Sequence, residues 1–221
     1  MYVLNIETAT KNCSISIAKD GETLACKEIT TQGYSHAEKL HVFIEAILKE
    51  VQLDFSDLGA IAVSQGPGSY TGLRIGVSAA KGLCYALNLP LIAVDTLEIL
   101  ASKLAISEGI IIPMIDARRM EVYSAIFNAK GEMIRKTEAE IIDENSFKEI
   151  DGKIHLIGDG AMKFQEILTS DNFVFHPEIV YPSASEMSKL SFEKYKISDT
   201  VDVAYFEPFY LKDFIISSKK L

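Results

Sequence analysis

Ser64-Gln65-Gly66-Pro67-Gly68-Ser69-Tyr70-Thr71-Gly72-Leu73-Arg74-Ile75-Gly76 follows directly on the apolar run Ala60-Ile61-Ala62-Val63. A short run apolar on both faces is the pattern of a buried parallel strand. It leads here through a glycine-rich turn into a helical pattern over residues 70–87. Strand, tight turn and helix in that order form the repeating unit of an open α/β sheet. Glycines allow positive φ and the first N–H groups of a helix lack intrahelical partners, so such a turn can cradle an anion. The Lys-[Ser/Thr] pair that completes a P-loop is missing after the glycines. Two readings stand: a candidate nucleotide or phosphate loop at Gly66, Gly68 and Ser69, and a strand-to-helix turn that binds nothing.

Within the helix, Gly72, Gly76 and Ala80 recur every four residues, with Ala79, Gly82 and Ala86 beside them. Glycine costs roughly 1 kcal/mol at a helix interior position, so several together point to close approach of another backbone. The preceding helix, read over residues 36–51, carries Leu40, Ile44, Ile47 and Leu48 at helical spacing, and Val42, Phe43 and Ala46 widen its apolar face beyond one side. Together the helices offer a candidate subunit interface through Leu40, Ile44, Ile47, Leu48, Gly72, Arg74, Gly76, Ala79, Ala80 and Leu83. The alternative is burial against the molecule's own sheet.

Outward from these helices, the first thirty residues read as three strands, with Asp20-Gly21 as a hairpin turn. Residues 91–94 give another buried strand, and Asp95 with Glu98 signals the start of a helix expected to run to about Ser107. Antiparallel strands followed by β-α units predict a mixed sheet covered by helices. A second half starts near Gly109: strands near residues 110–115, 121–128, 133–142 and 153–157, a helix near 161–168, a late helix over 184–196 and a closing extended segment, Pro208-Phe209-Tyr210-Leu211. The boundary is placed between an N-terminal subdomain, residues 1–108, and a smaller, more variable one, residues 109–221.

The 221 residues are 48% hydrophobic and 24% charged, and no apolar run reaches membrane-spanning length. Without a signal-like leader, a cytoplasmic location is expected. Cys13, Cys26 and Cys84, widely spaced and odd in number, read as small core residues. The net charge of −9, with no basic cluster beyond Lys219-Lys220, argues against direct RNA gripping. His36 and His41 stand five positions apart, not the i, i+4 of helical zinc ligands. Ser64 and Ser69 lack a G-x-S-x-G setting. Glu7-Thr8-Ala9-Thr10 at the first strand's end offers a carboxylate and hydroxyls suited to a metal-bound phosphate, or a polar hairpin. Asp116-Ala117-Arg118-Arg119 reads as an exposed hairpin tip or a polar contact surface.

Taken together, Ile6-Glu7-Thr8-Ala9-Thr10, the loop from Ser64 to Gly76, Ile115-Asp116-Ala117-Arg118-Arg119 with Glu121-Val122-Tyr123, and the closing Pro208-Phe209-Tyr210-Leu211 resemble the TsaB (YeaZ) family, most strongly over residues 1–125. The resemblance implies an α/β, actin-like ATPase (ASKHA, ribonuclease-H-like) fold of two related subdomains with mixed sheets flanked by helices. It implies a non-catalytic subunit for threonylcarbamoyladenosine (t6A) modification of tRNA. Such a subunit pairs with a TsaD-type catalytic subunit through the two helices, forms homodimers, works alongside a TsaE-type ATPase, and meets tRNA only indirectly. Where the catalytic sister has a metal-binding H-x-x-x-H, strand matching puts Thr96 and Leu100, which implies no catalytic and no metal site. Glu7 stands where the family more often has Asp, which leaves a phosphate or magnesium role for Glu7, Thr8 and Thr10 open. No cofactor is expected to bind tightly; ATP or ADP with magnesium is the candidate ligand. The rival readings are an ATP-dependent phosphotransferase or ATPase of the actin-like fold, helped by Gly158-Asp159-Gly160, a metallopeptidase, and a purely structural homodimer.

Overall fold

In a computed structural model, residues 1–31 and 36–211 are described; Lys219-Lys220 lies outside them. Two five-stranded sheets divide the chain. In the first, β1 (Tyr2–Glu7), β2 (Asn12–Lys19) and β3 (Glu22–Thr30) form an antiparallel meander, and β4 (Leu58–Gly66) and β5 (Leu91–Asp95) extend it in parallel from β1, giving the order β3-β2-β1-β4-β5. In the second, β6 (Ile110–Asp116), β7 (Glu121–Asn128) and β8 (Met133–Ile141) repeat the meander, and β9 (Ile154–Ile157) and β10 (Phe173–Phe175) repeat the parallel extension, in the order β10-β9-β6-β7-β8. Matched strand for strand, the sheets are two copies of one topology. The two related subdomains follow from that.

Alternation along the strands assigns the faces. Leu4, Ile6, Ile15, Ile17, Ile61 and Val63 point to the side covered by α1 (His36–Glu50) and α2 (Tyr70–Leu87). Val3, Ala60, Ala62, Ile92 and Val94 point to the side covered by α4 (Ala184–Lys196). α3 (Thr96–Ala101) lies between the sheets, with Leu97 and Leu100 packed on Ile111, Ile115 and Phe127. Beneath α4 the polar groups are matched: Asn5 Nδ2 donates to Ser16 Oγ at 3.0 Å, Ser191 Oγ donates to Asn5 Oδ1 at 2.7 Å, and the Ala184 N–H donates to Ser14 Oγ at 2.8 Å. A buried polar layer of this kind is stable only when its members are satisfied.

Several expectations need correction. The subdomain boundary holds for the sheets but not for the chain's last part: α4 packs on the first sheet and the Val201 N–H donates to Leu91 O at 2.9 Å, so residues after Pro182 return to the first subdomain. The helix opened by Asp95 ends at Ala101, not near Ser107. Asp95 Oδ1 caps its start, accepting from the N–H groups of Leu97 (2.8 Å) and Glu98 (3.2 Å), but Leu104 and Ile106 leave helical spacing to pack between the sheets. The helix read over 161–168 is a single 3-10 turn, Ala161–Phe164, from which Phe164 and Leu168 are both buried in the second sheet's core. Cys13 and Cys84 are buried, whereas Cys26, on the edge strand β3, is exposed.

The glycines of α2 separate into two kinds. A Cβ added at Gly72 would lie 2.1 Å from Thr8 O, and one at Gly76 would lie 2.2 Å from Thr8 Oγ1, whereas at Gly82 it would meet nothing within 4 Å. Gly72→Ala is therefore expected to destabilise the fold by about 3 kcal/mol or more, since backbone must move. Gly82→Ala should instead stabilise it by about 0.5–1 kcal/mol through helix propensity. Urea denaturation of the two variants against the parent measures both, and a neutral Gly72→Ala would show the seam to be loose.

Candidate functional site

The turn after β1 and the N-terminus of α2 meet in one buried seam. Glu7, Thr8 and Thr10 are buried, as is Ser64 at the end of β4. The Ser69 N–H donates to Ala9 O at 2.7 Å, and Thr8 Oγ1 donates to Gly72 O at 2.8 Å. His36 Nε2 donates to Thr10 O at 2.8 Å, which ties α1 to the same turn and explains a helix-starting histidine without a metal. A Cβ at Gly68 would stand 2.3 Å from Ala9 O. Glycine is needed at 68, 72 and 76 because another stretch of the same chain touches the backbone there.

Several donors of the loop are used within the chain. Ser69 caps α2, its Oγ accepting from the Gly72 N–H at 3.3 Å and its carbonyl from the Leu73 N–H at 2.9 Å. The Ser69 N–H is spent on Ala9, and the Gly66 N–H donates to Thr96 Oγ1 at 3.1 Å. From the far side, Phe209 closes over the loop: its N–H donates to Gln65 O at 2.7 Å, and its own carbonyl would lie 2.7 Å from a Cβ at Gly66. The candidate phosphate set, Glu7, Thr8, Thr10, Gly66, Gly68 and Ser69, is thus brought together as predicted. It is brought together by packing of the chain against itself, the close contact expected of a strand-to-helix turn.

Glu7 is the chemically unusual member. Its Oε1 accepts from the Ala9 N–H at 2.5 Å, while Oε2 is buried without a partner. Burial pushes its pKa up to about 7; the Ala9 N–H, the Ser64 hydroxyl and the charge of Lys103 hold it from rising further. An acid whose pKa is higher in the folded state than its ordinary 4.5 binds its proton more tightly when folded. Its contribution to stability is then full below about pH 4.5, is lost as pH rises towards 7, and is level above. A shift of this size corresponds to about 3 kcal/mol. Glu7→Gln, which keeps the shape and removes the charge, should gain about 2–3 kcal/mol on the parent between pH 5 and pH 8. Chemical denaturation at the two pH values reads this directly; a constant difference would mean that Glu7 is not held in its neutral form.

The interface candidates divide by burial. Leu40, Ile44, Ile47 and Leu48 of α1 are buried at 0–3% exposure in the first subdomain's core, and Gly72, Gly76 and Ala80 of α2 are buried against β1. Those seven are not available to a partner: the stripe read as a helix contact is the contact of α2 with its own sheet. Ala79 and Leu83 are half-buried and Arg74 is exposed. The outward face of α2 is Thr71, Ile75, Ser78, Gly82 and Ala86, beside Arg74 and a Tyr85 that is 87% exposed; of these the expectation had Arg74 in the interface and Gly82 and Ala86 beside the stripe. Ser78, Gly82 and Ala86 also recur every four residues, so spacing alone could not say which small-residue stripe faced outward.

The positions matched to the sister's metal ligands are both in use. Thr96 is buried with its hydroxyl on the Gly66 N–H, and Leu100 is buried between the sheets. Among the described residues no group of three or more His, Cys, Asp and Glu side chains is placed to hold a metal ion. Two motifs read separately prove to be neighbours: the Asp116 N–H donates to Asp159 Oδ1 at 3.0 Å, and Lys163 Nζ donates to Asp116 Oδ1 at 2.6 Å and Glu121 O at 3.1 Å. Arg118 and Arg119 project from this staple as an exposed tip at φ 74° and 55°. Gly158 and Gly160 are closely packed, since a Cβ at either would stand 2.2 Å from Met114 O or 2.8 Å from Val122 Cγ1.

Comparison with known proteins agrees with the architecture. The family model of TsaD, tRNA N6-adenosine threonylcarbamoyltransferase, matches residues 28–205. The tRNA threonylcarbamoyladenosine biosynthesis protein TsaB of Escherichia coli is 30% identical over 96% of this chain and 95% of its own length. The Bacillus subtilis tRNA N6-adenosine threonylcarbamoyltransferase is 34% identical over 51% of this chain and 37% of its own. The solved structure of YeaZ from Pseudomonas aeruginosa superposes with a TM-score of 0.82 at 25% identity, covering 95% of this chain and 99% of that one. No helix among the described residues is long and apolar enough to cross a membrane. By whole-length similarity and by shared subdomain architecture, the chain belongs to the TsaB (YeaZ) family.

Proposed function

We propose that this chain is the non-catalytic subunit of t6A biosynthesis, and that it supports a TsaD-type transferase by binding it through the outward face of α2. Family membership supports the pathway, since the relatives are named for tRNA threonylcarbamoyladenosine biosynthesis. The observation that carries the partner role is the open stripe Ser78, Gly82 and Ala86, where small side chains let another helix come close. A TsaD-type subunit matches the same family model, so its equivalent helix presents a related face in a pseudo-twofold pairing. A second copy of this chain would use the same face, which makes homodimer and heterodimer alternatives. The TsaE-type ATPase joins as a third component, and tRNA is met through the partner, in keeping with the net charge of −9.

Nucleotide binding by the isolated chain is expected to be weak, because the N–H groups of Gly66, Ser69 and Gly72 already have partners in the chain. Calorimetry with Mg-ATP tests that point; micromolar binding with turnover would favour the ATPase reading instead. The role itself is tested by reconstituting tRNA modification with and without this chain, and full activity without it would remove the proposal. Gly82→Leu tests the surface. With open space around Gly82 the fold should be kept, while affinity for the TsaD-type subunit should fall by at least about 1.4 kcal/mol, tenfold in Kd. Light scattering and circular dichroism on the same sample separate loss of assembly from loss of fold.

A further inference from the structure

His155 and His176 stand 21 residues apart in the chain and meet on one face of the second sheet. β9 and β10 run parallel with Val174 opposite His155, so alternation puts His155, Val174 and His176 on one side and Ile154, Leu156, Phe173 and Phe175 on the other. The second set packs into the core of the second subdomain. The first is half-buried, and His155 has Ile111 of β6 opposite it on its other flank. The His176 N–H donates to Leu156 O at 3.0 Å, which carries the pairing one residue past β10 and fixes where the second ring stands.

The two rings meet edge to edge. His155 Nδ1 lies 3.0 Å from His176 Nε2, with ring centroids 5.2 Å apart and planes inclined by 30°. On its other side His176 Nδ1 donates to Glu178 Oε1 at 3.2 Å. A neutral imidazole carries one N–H, so this bond leaves Nε2 of His176 as a bare lone pair aimed at His155. With its proton on Nδ1, His155 donates to that lone pair and the two rings form a plain hydrogen bond. With its proton on Nε2, two lone pairs converge on one point, which is the donor set of a cation. Burial first, then repulsion from His176 and Lys153, holds the pKa of His155 below the ordinary histidine value, so its ring is neutral at neutral pH, as a ligand must be.

Neutral imidazole suits zinc, copper and nickel. Two nitrogens on one tetrahedral zinc, each at about 2.0–2.1 Å, stand about 3.4 Å apart, so the present gap of 3.0 Å reaches that spacing by a small rotation of either ring. A histidine that binds a metal through one nitrogen commonly gives its other N–H to a carboxylate, and Glu178 already accepts it from His176. The opposing charge of Lys153 is turned to the chain, its Nζ donating to Asp171 O at 2.8 Å. We infer that His155 and His176 form a two-histidine site for a divalent transition metal, zinc in the first place, with water in the remaining positions and Glu178 as the positioning residue. Among the described residues no third His, Cys, Asp or Glu completes the set, so the affinity is micromolar and not that of a four-ligand structural site. The ion ties β9, four residues long, to the end of β10, three residues long, and so braces the edge of the second sheet. This metal was not expected from the sequence, and it sits away from Thr96 and Leu100 of α3, the positions matched to the sister's ligands.

The test is equilibrium dialysis of the full chain, free of any histidine tag, against zinc chloride at neutral pH, with magnesium chloride as the control. The expected result is one zinc per chain with a micromolar Kd and no bound magnesium. His176→Ala should weaken zinc at least about tenfold. His155→Asn places an amide N–H near the position of Nδ1–H, so it keeps the hydrogen bond to His176 while removing the ligand; it should melt like the parent without metal and lose zinc at least about tenfold. Glu178→Gln, at an exposed position, should weaken zinc several-fold with the metal-free melting temperature unchanged. No zinc on the parent, or parent-like zinc on His155→Asn, would overturn the site and leave the two rings a hydrogen bond. Parent-like zinc on Glu178→Gln would remove Glu178 from it.

Discussion

Close approach between the turn after β1 and the first two turns of α2 is the constraint from which the first subdomain follows. Thr8 is its centre: its carbonyl lies where a Cβ of Gly72 would be, and its hydroxyl donates to Gly72 O and fills the space left by Gly76. Helix and strand at this distance share a buried surface with no room for side chains on one partner. The cost of three glycines in or near a helix is offset by burial of Ile6, Val63, Leu73 and Val77 in one core. Hydrophobic burial at about 25 cal/mol per Å² makes each such side chain worth a few kcal/mol, more than the roughly 1 kcal/mol a helical glycine loses.

The same constraint sets what the site can and cannot do. In an open α/β fold the loop after a parallel strand is the usual place for a ligand, because helix N–H groups point into a crevice. Here the crevice is filled from inside by Ala9 and from outside by Phe209, while Thr96 takes the Gly66 N–H. Glu7 is enclosed by this filling, and its raised pKa is a consequence: burial of the carboxylate outweighs the Ala9 N–H, the Ser64 hydroxyl and the charge of Lys103, so it keeps its proton to near neutrality. The longer side chain of Glu turns back to the Ala9 N–H two residues on.

Much of the fold was legible in the sequence. Continuous apolar runs located β4 and β5, the glycine loop located the β4–α2 turn, and Asp95 located the start of α3. What was not legible depended on contacts between distant parts of the chain. Ala101 ends α3 because Leu104 and Ile106 have apolar partners on the second sheet. β10 is three residues long and pairs only with β9, too short for any periodicity. At the site, the sequence identified both groups that form the seam, Glu7 to Thr10 and Gly66 to Gly76, but not that they face each other. For the helices, Leu40, Ile44, Ile47 and Leu48 carried a core signal that a wide apolar face made resemble an interface. Gly72 and Gly82 are chemically identical in the sequence and differ only in what stands opposite.

Filling the loop and burying Thr96 and Leu100 in the core have a joint consequence for α2. Both make this region packed interior, and packed interior is rigid. A rigid seam fixes the direction of α2, since Ser69, Gly72 and Gly76 are all tied to one strand turn. With the inward face of α2 so held, the outward face becomes a surface of defined orientation, and binding there loses little conformational entropy. The chain after α4 acts in the same direction: it is anchored at two points, by Lys81 Nζ donating to Ala204 O and Phe206 O and by the Phe209 N–H donating to Gln65 O. The packing that closes the crevice and the small-residue face that opens outward are therefore two sides of one helix.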